Sequence, residues 1–482
     1  MTRPRTAGAA LALALAAHGA PAAAVERGEA VTLRVMSFNV WYGGEQVSLA
    51  KIGEAIRAAD ADIVGVQEAD VNLERVAEAA GMPFVDPRRR LLSRWPIFDS
   101  GTGERTETGP SPYSTTALDQ SALHAWVMVR PGKVVAVSNV HLSSGADEDA
   151  TRRAEAGPLV ALGRLGAAGT PVFLTGDFNS TSHLDAARGR DTGVTRLLAG
   201  AGLRDSFREA NPDATARPGH TFTPGAPHAA GRPAGRQSRI DYVFTAGRSE
   251  TLASQVVGEA GGPVTDIAIF PWPSDHRALV STFRVVPVDA PALIAATPRL
   301  VEQPGATVFL RTWDPSGPGW TALVVRRGAG PEGALTGVSD MPHDWQRMIP
   351  VSTIGLEPGD YDALLVGEDG AVLRRCAFTI ATPGAQPGIE AVTATMRPGE
   401  VVRTRWRDAP GALRDWVGVY RRGEVDVSQY LGFIYTEAAF AGEASFQPGP
   451  GGRPLAPGDY ELRLMHDESY VVLAKAPFRV LP

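Results

Sequence analysis

The sequence predicts an α/β protein: a four-layer α/β sandwich, with two packed β-sheets flanked by helices, followed by two small all-β immunoglobulin-like sandwich domains. Three observations predict it. Strand-like and helix-like runs alternate from Val31 onward, several strand-like runs end in polar tips, and two β-rich segments near the C-terminus repeat one pattern. At 482 residues the chain exceeds one compact core, so two or three domains are expected. Hydrophobic residues make up 44% and charged residues 21%, a globular composition that argues against extended disorder.

Residues 1–24 read as a signal peptide: the basic MTRPR, an apolar run from Ala7 to Ala17, and Ala22, Ala23 and Ala24 before a charged stretch. The apolar run is far shorter than the ~20 residues that span a bilayer, and no later segment is long and apolar enough. The mature protein is therefore expected to be secreted or periplasmic, without a transmembrane segment, and monomeric.

The main domain is read over residues 25–287. VTLRVMSFNVWY is a strand, LAKIGEAIRAA has apolar residues at helical spacing, and DIVGVQE is a strand again. HAWVMVR and KVVAVSNVHL form a hairpin around Pro131-Gly132. One helix runs from about Glu148 to Leu165, and PVFLTGDFN, RIDYVFTA and HRALVSTFRVV supply further strands. Pro287 to Ala296 reads as a linker. Two β-sandwich repeats follow, over residues 288–384 and 385–482, in which Trp320 is matched with Trp416 and Tyr361 with Tyr460.

Formal net charge is −6, opposite to the basic footprint of a protein that grips long nucleic acid, although Arg88-Arg89-Arg90 offers a local basic strip. The single cysteine, Cys376, cannot form an intrachain disulfide and reads as a buried apolar residue.

Six strings occur in order: SFNVWYGG around Asn39, GVQEAD around Glu68, NVHLSS around His141, GDFN from Gly176, RIDY from Arg239 and SDH from Ser274. Taken together they place carboxylate, amide and imidazole groups at strand ends. A lone carboxylate ending an apolar strand, as Glu68 does, is costly unless paired or bound to a cation. Asp177 can orient or deprotonate a water, with Asn179 on the same face of an extended segment as a donor to phosphate. Asn39 offers both a donor and an acceptor.

The ordered series resembles the endonuclease/exonuclease/phosphatase superfamily, the group that includes deoxyribonuclease I, apurinic endonucleases, bacterial sphingomyelinases and inositol polyphosphate 5-phosphatases. The resemblance covers roughly Val31 to Val286. It implies a Mg²⁺- or Mn²⁺-dependent hydrolase of phosphoesters, whether small-molecule, lipid-derived or nucleic acid. By that resemblance Glu68 is the principal metal ligand, with Asn39 and Asp275 on the metal side. His141 and Asn179 donate to phosphate, Asp177 serves the attacking water, and His276 faces phosphate with Asp241 behind it. Tyr113 is a further candidate phosphate contact. His124, His183 and His220 rank lower, and Trp272 with Pro273 is a candidate specificity wall. The irregular stretch from Asn211 to Ser238 leaves the leaving group unassigned. A surface-binding role carried by the C-terminal repeats is the alternative of another class.

Overall fold

The computed structural model describes residues 30–99, 124–144, 149–185, 192–222, 237–261, 264–317, 320–339, 347–411, 415–436, 439–447, 454–466 and 470–482. The expected signal peptide and Tyr113 lie outside them. No helix among the described residues is long and apolar enough to cross a membrane.

In chain order the main domain comprises β1 (Val31–Asn39), α1 (Leu49–Ala58), β2 (Ile63–Gln67), α2 (Leu73–Ala80), β3 (Phe84–Asp86), β4 (Leu91–Ser93), β5 (Ile97–Asp99), β6 (Ala125–Arg130) and β7 (Lys133–His141). It continues with α3 (Asp149–Ala156), α4 (Val160–Ala167), β8 (Val172–Asp177), α5 (Gly193–Gly200), β9 (Arg204–Asp205), α6 (Ser206–Ala210), β10 (Asp241–Ala246), β11 (Ser249–Glu259), β12 (Ile267–Ile269), β13 (Ala278–Val285) and β14 (Val288–Asp289). One sheet has the order β12-β11-β13-β1-β2-β4-β3; the other has β5-β6-β7-β8-β10-β9, with β14 pairing the start of β7.

Alternation along each strand builds four layers. On β1, Leu33 and Val35 face the opposite sheet, where they meet Val135, Val137, Phe173 and Val243, while Met36 and Phe38 pack under α1 and α2. On the far side Ala136, Val140, Leu174 and Phe244 pack beneath α4 and α5. The expected single helix from Glu148 to Leu165 is two helices, broken by a 3₁₀ turn at Gly157–Leu159, because Pro158 has no N–H to continue the ladder.

Parallel pairing of β1 with β2 and of β7 with β8 brings Asn39 level with Gln67 and His141 level with Asp177. β10 starts opposite the end of β8, with Asp241 paired to Asp177, and β13 starts beside the end of β1. Six strand termini therefore open on one rim.

Beyond Pro287, two units each combine a three-stranded with a five-stranded sheet around its own apolar core. The segment read as a linker is not a loose tether. Val288–Asp289 pairs with β7, Leu293–Thr297 is a strand, and Ala290, Leu293 and Trp313 share a core with Phe98, Met128 and Val134 of the main domain. Arg311 stacks on Phe84 at 4.6 Å.

The match of Trp320 with Trp416 is off by one residue. Thr321 pairs with Val366 as Trp416 pairs with Met465, so Trp416 corresponds to Thr321. One residue reverses the face: Trp320 lies in the inter-sheet core, whereas Trp416 packs outside with Tyr420 and Tyr435. Tyr361 and Tyr460 do correspond, each donating its hydroxyl to the carbonyl four residues back.

Candidate functional site

The inter-sheet face of the central strands changes character toward the rim. Leu33 and Val35 give way to Ser37 and Asn39 on β1; Val135 and Val137 to Asn139 and His141 on β7; Phe173 to Thr175 and Asp177 on β8. Glu68 follows the last residue of β2, so alternation would aim it toward the helices. Its backbone instead takes a left-handed conformation, φ 56°, and the carboxylate accepts from Asn39 Nδ2 at 2.9 Å and from the Tyr42 N–H at 2.9 Å. Trp41, Tyr42 and Asn179 also have positive φ. Such conformations cost free energy for L side chains and gather at functional sites.

Asp177, Asp241, His276 and Asn39 form a buried floor, and Glu68, Asp275 and His141 stand partly exposed at the mouth. Asn39 Nδ2 also reaches Asp177 Oδ2 at 3.1 Å. As placed, Asn39 offers its amide N–H to both carboxylates and spends Oδ1 on the Trp41 N–H, so it braces them rather than presenting an oxygen to a metal. Asp177 Oδ2 lies 3.5 Å from His141 Nε2 and 3.7 Å from His276 Nε2. His276 Nδ1 sits 2.9 Å from Asp241 Oδ2.

Asn179 does not share a strand face with Asp177, because β8 ends at Asp177. A left-handed turn, φ 48°, lets the Asn179 N–H donate to Asp177 Oδ1 at 2.9 Å, and its Nδ2 donates to the Leu142 carbonyl.

The electrostatics follow from burial and neighbours. Burial disfavours a charged His276, but the charges of Asp241 and Asp177 and the Asp241 hydrogen bond outweigh it and push the imidazole up to about 10. Burial, then the Asp241 charge, pushes Asp177 up to about 6. Burial, reinforced by Glu68 against the pull of His276, pushes Asp275 up to about 6. Glu68 is held low: burial is overcome by His141, the Asn39 hydrogen bond, His276 and the Tyr42 N–H.

Asp177, Asp241 and His276 bring donor atoms within 4.8 Å of one another, an acidic/His cluster able to hold a metal ion on distance alone. Its Asp241–His276 edge is a hydrogen bond, and an imidazolium has no lone pair for a cation. Four carboxylates and no thiolate suit a hard divalent cation, and Asp241 Oδ1 is buried with no hydrogen-bond partner.

Several expected roles move. Trp272 is no specificity wall: it is buried, stacks on Phe38 at 5.3 Å and donates its indole N–H to the His276 carbonyl. Arg88, Arg89 and Arg90 are 4%, 3% and 5% exposed, so they form no surface strip. His124 is buried edge-on to Trp126, and His183 bonds Thr195.

Sequence reasoning missed Ser274 and the Thr221-Phe222 pair. Ser274 Oγ donates to the Asn39 carbonyl at 2.7 Å and accepts from the His276 N–H. Thr221 Oγ1 accepts from the Ile240 and Asp241 N–H groups, and the Phe222 ring lies 4.9 Å from the His276 ring. Ser274 was visible inside SDH; Thr221 and Phe222 sat in a stretch that read as irregular.

Two mixed sheets between helices, with carboxylates and imidazoles gathered at one rim, define an α/β sandwich carrying an acidic/His cluster. The chain belongs to the Endonuclease/Exonuclease/phosphatase family, whose profile matches residues 36–276, half of its length. An uncharacterized protein of Caenorhabditis elegans is 25% identical over 53% of this chain and 92% of its own. A solved endonuclease/exonuclease/phosphatase of Beutenbergia cavernae is 19% identical, covers 72% of this chain and 99% of its own, and has a TM-score of 0.35. A mannosyl-6-phosphatase of Bacteroides thetaiotaomicron is 19% identical, covers 52% and 99%, and has a TM-score of 0.35.

Proposed function

We propose that the protein is an exported, Mg²⁺- or Mn²⁺-dependent phosphoester hydrolase acting on a small or lipid-derived phosphoester. The observation that carries this reading is the pairing of a proton acceptor with a held cationic donor on one floor: Asp177 at about 6 and His276 at about 10, with Nε2 and Oδ2 3.7 Å apart.

Glu68 and Asp275, at the open mouth, would hold the divalent cation. Once bound, the cation neutralises charge on phosphoryl oxygens and lowers the barrier to attack by water. Asp177, ionised above pH 6, orients that water and takes its proton. His276 donates from Nε2 to a phosphoryl oxygen, and Asp241 fixes its tautomer through Nδ1. His141 and Asn179 contribute further donors at the same edge.

The net charge of −6 and the burial of Arg88 to Arg90 favour a compact phosphoester over long nucleic acid. Residues 1–24 support export. The paired three- and five-stranded sheets and the matched Tyr361 and Tyr460 hydroxyl bonds support immunoglobulin-like accessory modules. A panel of phosphomonoesters, phosphodiesters, phospholipids and DNA, each with Mg²⁺ or Mn²⁺, tests the reading. Turnover confined to compact or lipid phosphoesters supports it, and salt-sensitive cleavage of DNA alone replaces it with a nuclease.

A further inference from the structure

One row beneath the catalytic side chains, a continuous polar layer crosses between the two sheets. Ser37, Asn139 and Thr175 each lie two residues before Asn39, His141 and Asp177 on the same strand face, and Gln67 immediately precedes Glu68. Asn139 is its hub. From β7 it reaches across to the other sheet, where Nδ2 donates to the Val66 carbonyl at 2.9 Å and the Arg89 carbonyl at 3.1 Å. Its Oδ1 accepts from Gln67 Nε2 at 2.6 Å and from Thr175 Oγ1 at 3.0 Å. Both ends of the amide are thereby used, and its partners lie on both sheets.

The layer requires space that only glycine leaves. A Cβ on Gly65 would stand 1.9 Å from Thr175 Oγ1 and 2.5 Å from Asn139 Oδ1. The layer continues at Ser37, whose Oγ accepts from the Gly176 N–H at 3.0 Å and lies 3.3 Å from Gln67 Nε2.

We propose that Asn139 is a positioning residue that sets the separation of the two sheets at the rim, so that Glu68 on one sheet and Asp177 and His141 on the other address the same phosphate. Two of its hydrogen bonds grip Val66 and Gln67, the residues leading directly into Glu68. Of the others, the bond from Thr175 ties it to the strand that ends at Asp177, and the bond to the Arg89 carbonyl ties it to the turn before β4. Hydrogen bonds from one side chain to both sheets restrain the elements they join, and partners that orient metal ligands without touching the ion typically change metal affinity or activity by about 10–100-fold when removed. Nothing in this role needs Asn139 to contact substrate.

This inference rests on the proposed cation site at Glu68. Its test combines Mg²⁺ titration of the full chain, followed by thermal shift without substrate, with hydrolysis of bis(p-nitrophenyl) phosphate. Asn139→Ala is expected to raise the half-saturating Mg²⁺ concentration by about 10-fold and to lower kcat by about 10–100-fold with little change in KM. Thr175→Val, a milder change to the same hub, should move both in the same direction by less, and it serves should Asn139→Ala fail to fold. Ser281→Ala is the control. It breaks a separate buried hydroxyl chain through Ser206 and Ser254, deeper between the sheets, and should lower Tm while leaving Mg²⁺ affinity and kcat unchanged. Wild-type Mg²⁺ affinity and kcat in a folded Asn139 or Thr175 variant would overturn the proposal, as would equal losses in Ser281→Ala. A wild-type chain that neither binds Mg²⁺ nor hydrolyses the probe would instead overturn the hydrolase reading itself.

Discussion

His276 holds Asp241 through Nδ1 at 2.9 Å while presenting Nε2 to Asp177 at 3.7 Å, so one imidazole stands between two buried carboxylates. The arrangement explains why the ring stays cationic despite its burial. It also makes the two ends of the ring separable by mutation: loss of Asp241 alters its charge and tautomer, and loss of Asp177 alters what it faces.

His276→Ala and Asp177→Asn should each lower kcat by about 10²–10⁴-fold, the usual contribution of a general acid/base or electrostatic group. Because the proposed mechanism assigns both to one transition state, the double variant should lose much less than the product of the two losses. Steady-state kinetics on the three variants checks this, and fully multiplicative losses would place the residues in separate steps.

Asp177 and His276 are buried, 1% and 4% exposed. Asp177 has a raised pKa, so its ionised form opposes folding of the metal-free chain near neutral pH. Asp177→Asn should therefore leave the metal-free Tm unchanged or higher at about pH 7.5 while removing activity. A lower Tm would contradict that balance.

The pH dependence has a definite sign. For Asp177 and Asp275, raised from 3.8 to about 6, the stabilising contribution is present at low pH and lost as pH rises through about 6. His276, raised from 6.5 to about 10, contributes fully below its unfolded pKa and loses that contribution as pH rises through about 10. Glu68, held low, works in the opposite direction, losing its contribution as pH falls. At the proposed cation site Mg²⁺ would bind the ionised carboxylates, so the Tm increment from saturating Mg²⁺ should grow between about pH 5 and 7.5. Thermal shifts at both pH values measure it, and a constant or shrinking increment would place the cation elsewhere.

The main domain's dependence on the first β-unit is also testable. Trp313 packs on Phe98, Met128 and Val134 and leaves no room for a side chain at Gly132. Val134 lies seven residues before His141 along β7, about 23 Å below the rim. Trp313→Ala should therefore cost about 3 kcal/mol of stability with kcat unchanged. A chain ending at Pro287 should melt earlier than the full protein yet retain turnover at low temperature. Equal melting of the two chains would show that the shared core contributes nothing.

Much of the site was legible because period-two alternation ends β1, β7 and β8 on Asn39, His141 and Asp177, and the strings report those ends. What stayed hidden has physical causes. Asn139 looked like any strand residue, since its partners come from the other sheet and from a turn near residue 90. Glu68 and Asn179 reach the site through left-handed backbone, which alternation does not anticipate. The buried arginines carry the composition of a surface strip, and their burial arises only in the folded chain. The one-residue offset between Trp320 and Trp416 shows that a matched residue type does not establish a matched face.

Metal-assisted hydrolysis at the Glu68–Asp177–His276 rim is decided by turnover of bis(p-nitrophenyl) phosphate by wild-type and Glu68→Gln protein, with Mg²⁺ and then with excess chelator. Wild type should turn over only with the cation, and Glu68→Gln should be impaired at every Mg²⁺ concentration and show a smaller Mg²⁺-induced Tm shift. Turnover that survives chelation, or a Glu68→Gln chain that matches wild type in both readouts, would rule out a catalytic cation held by Glu68.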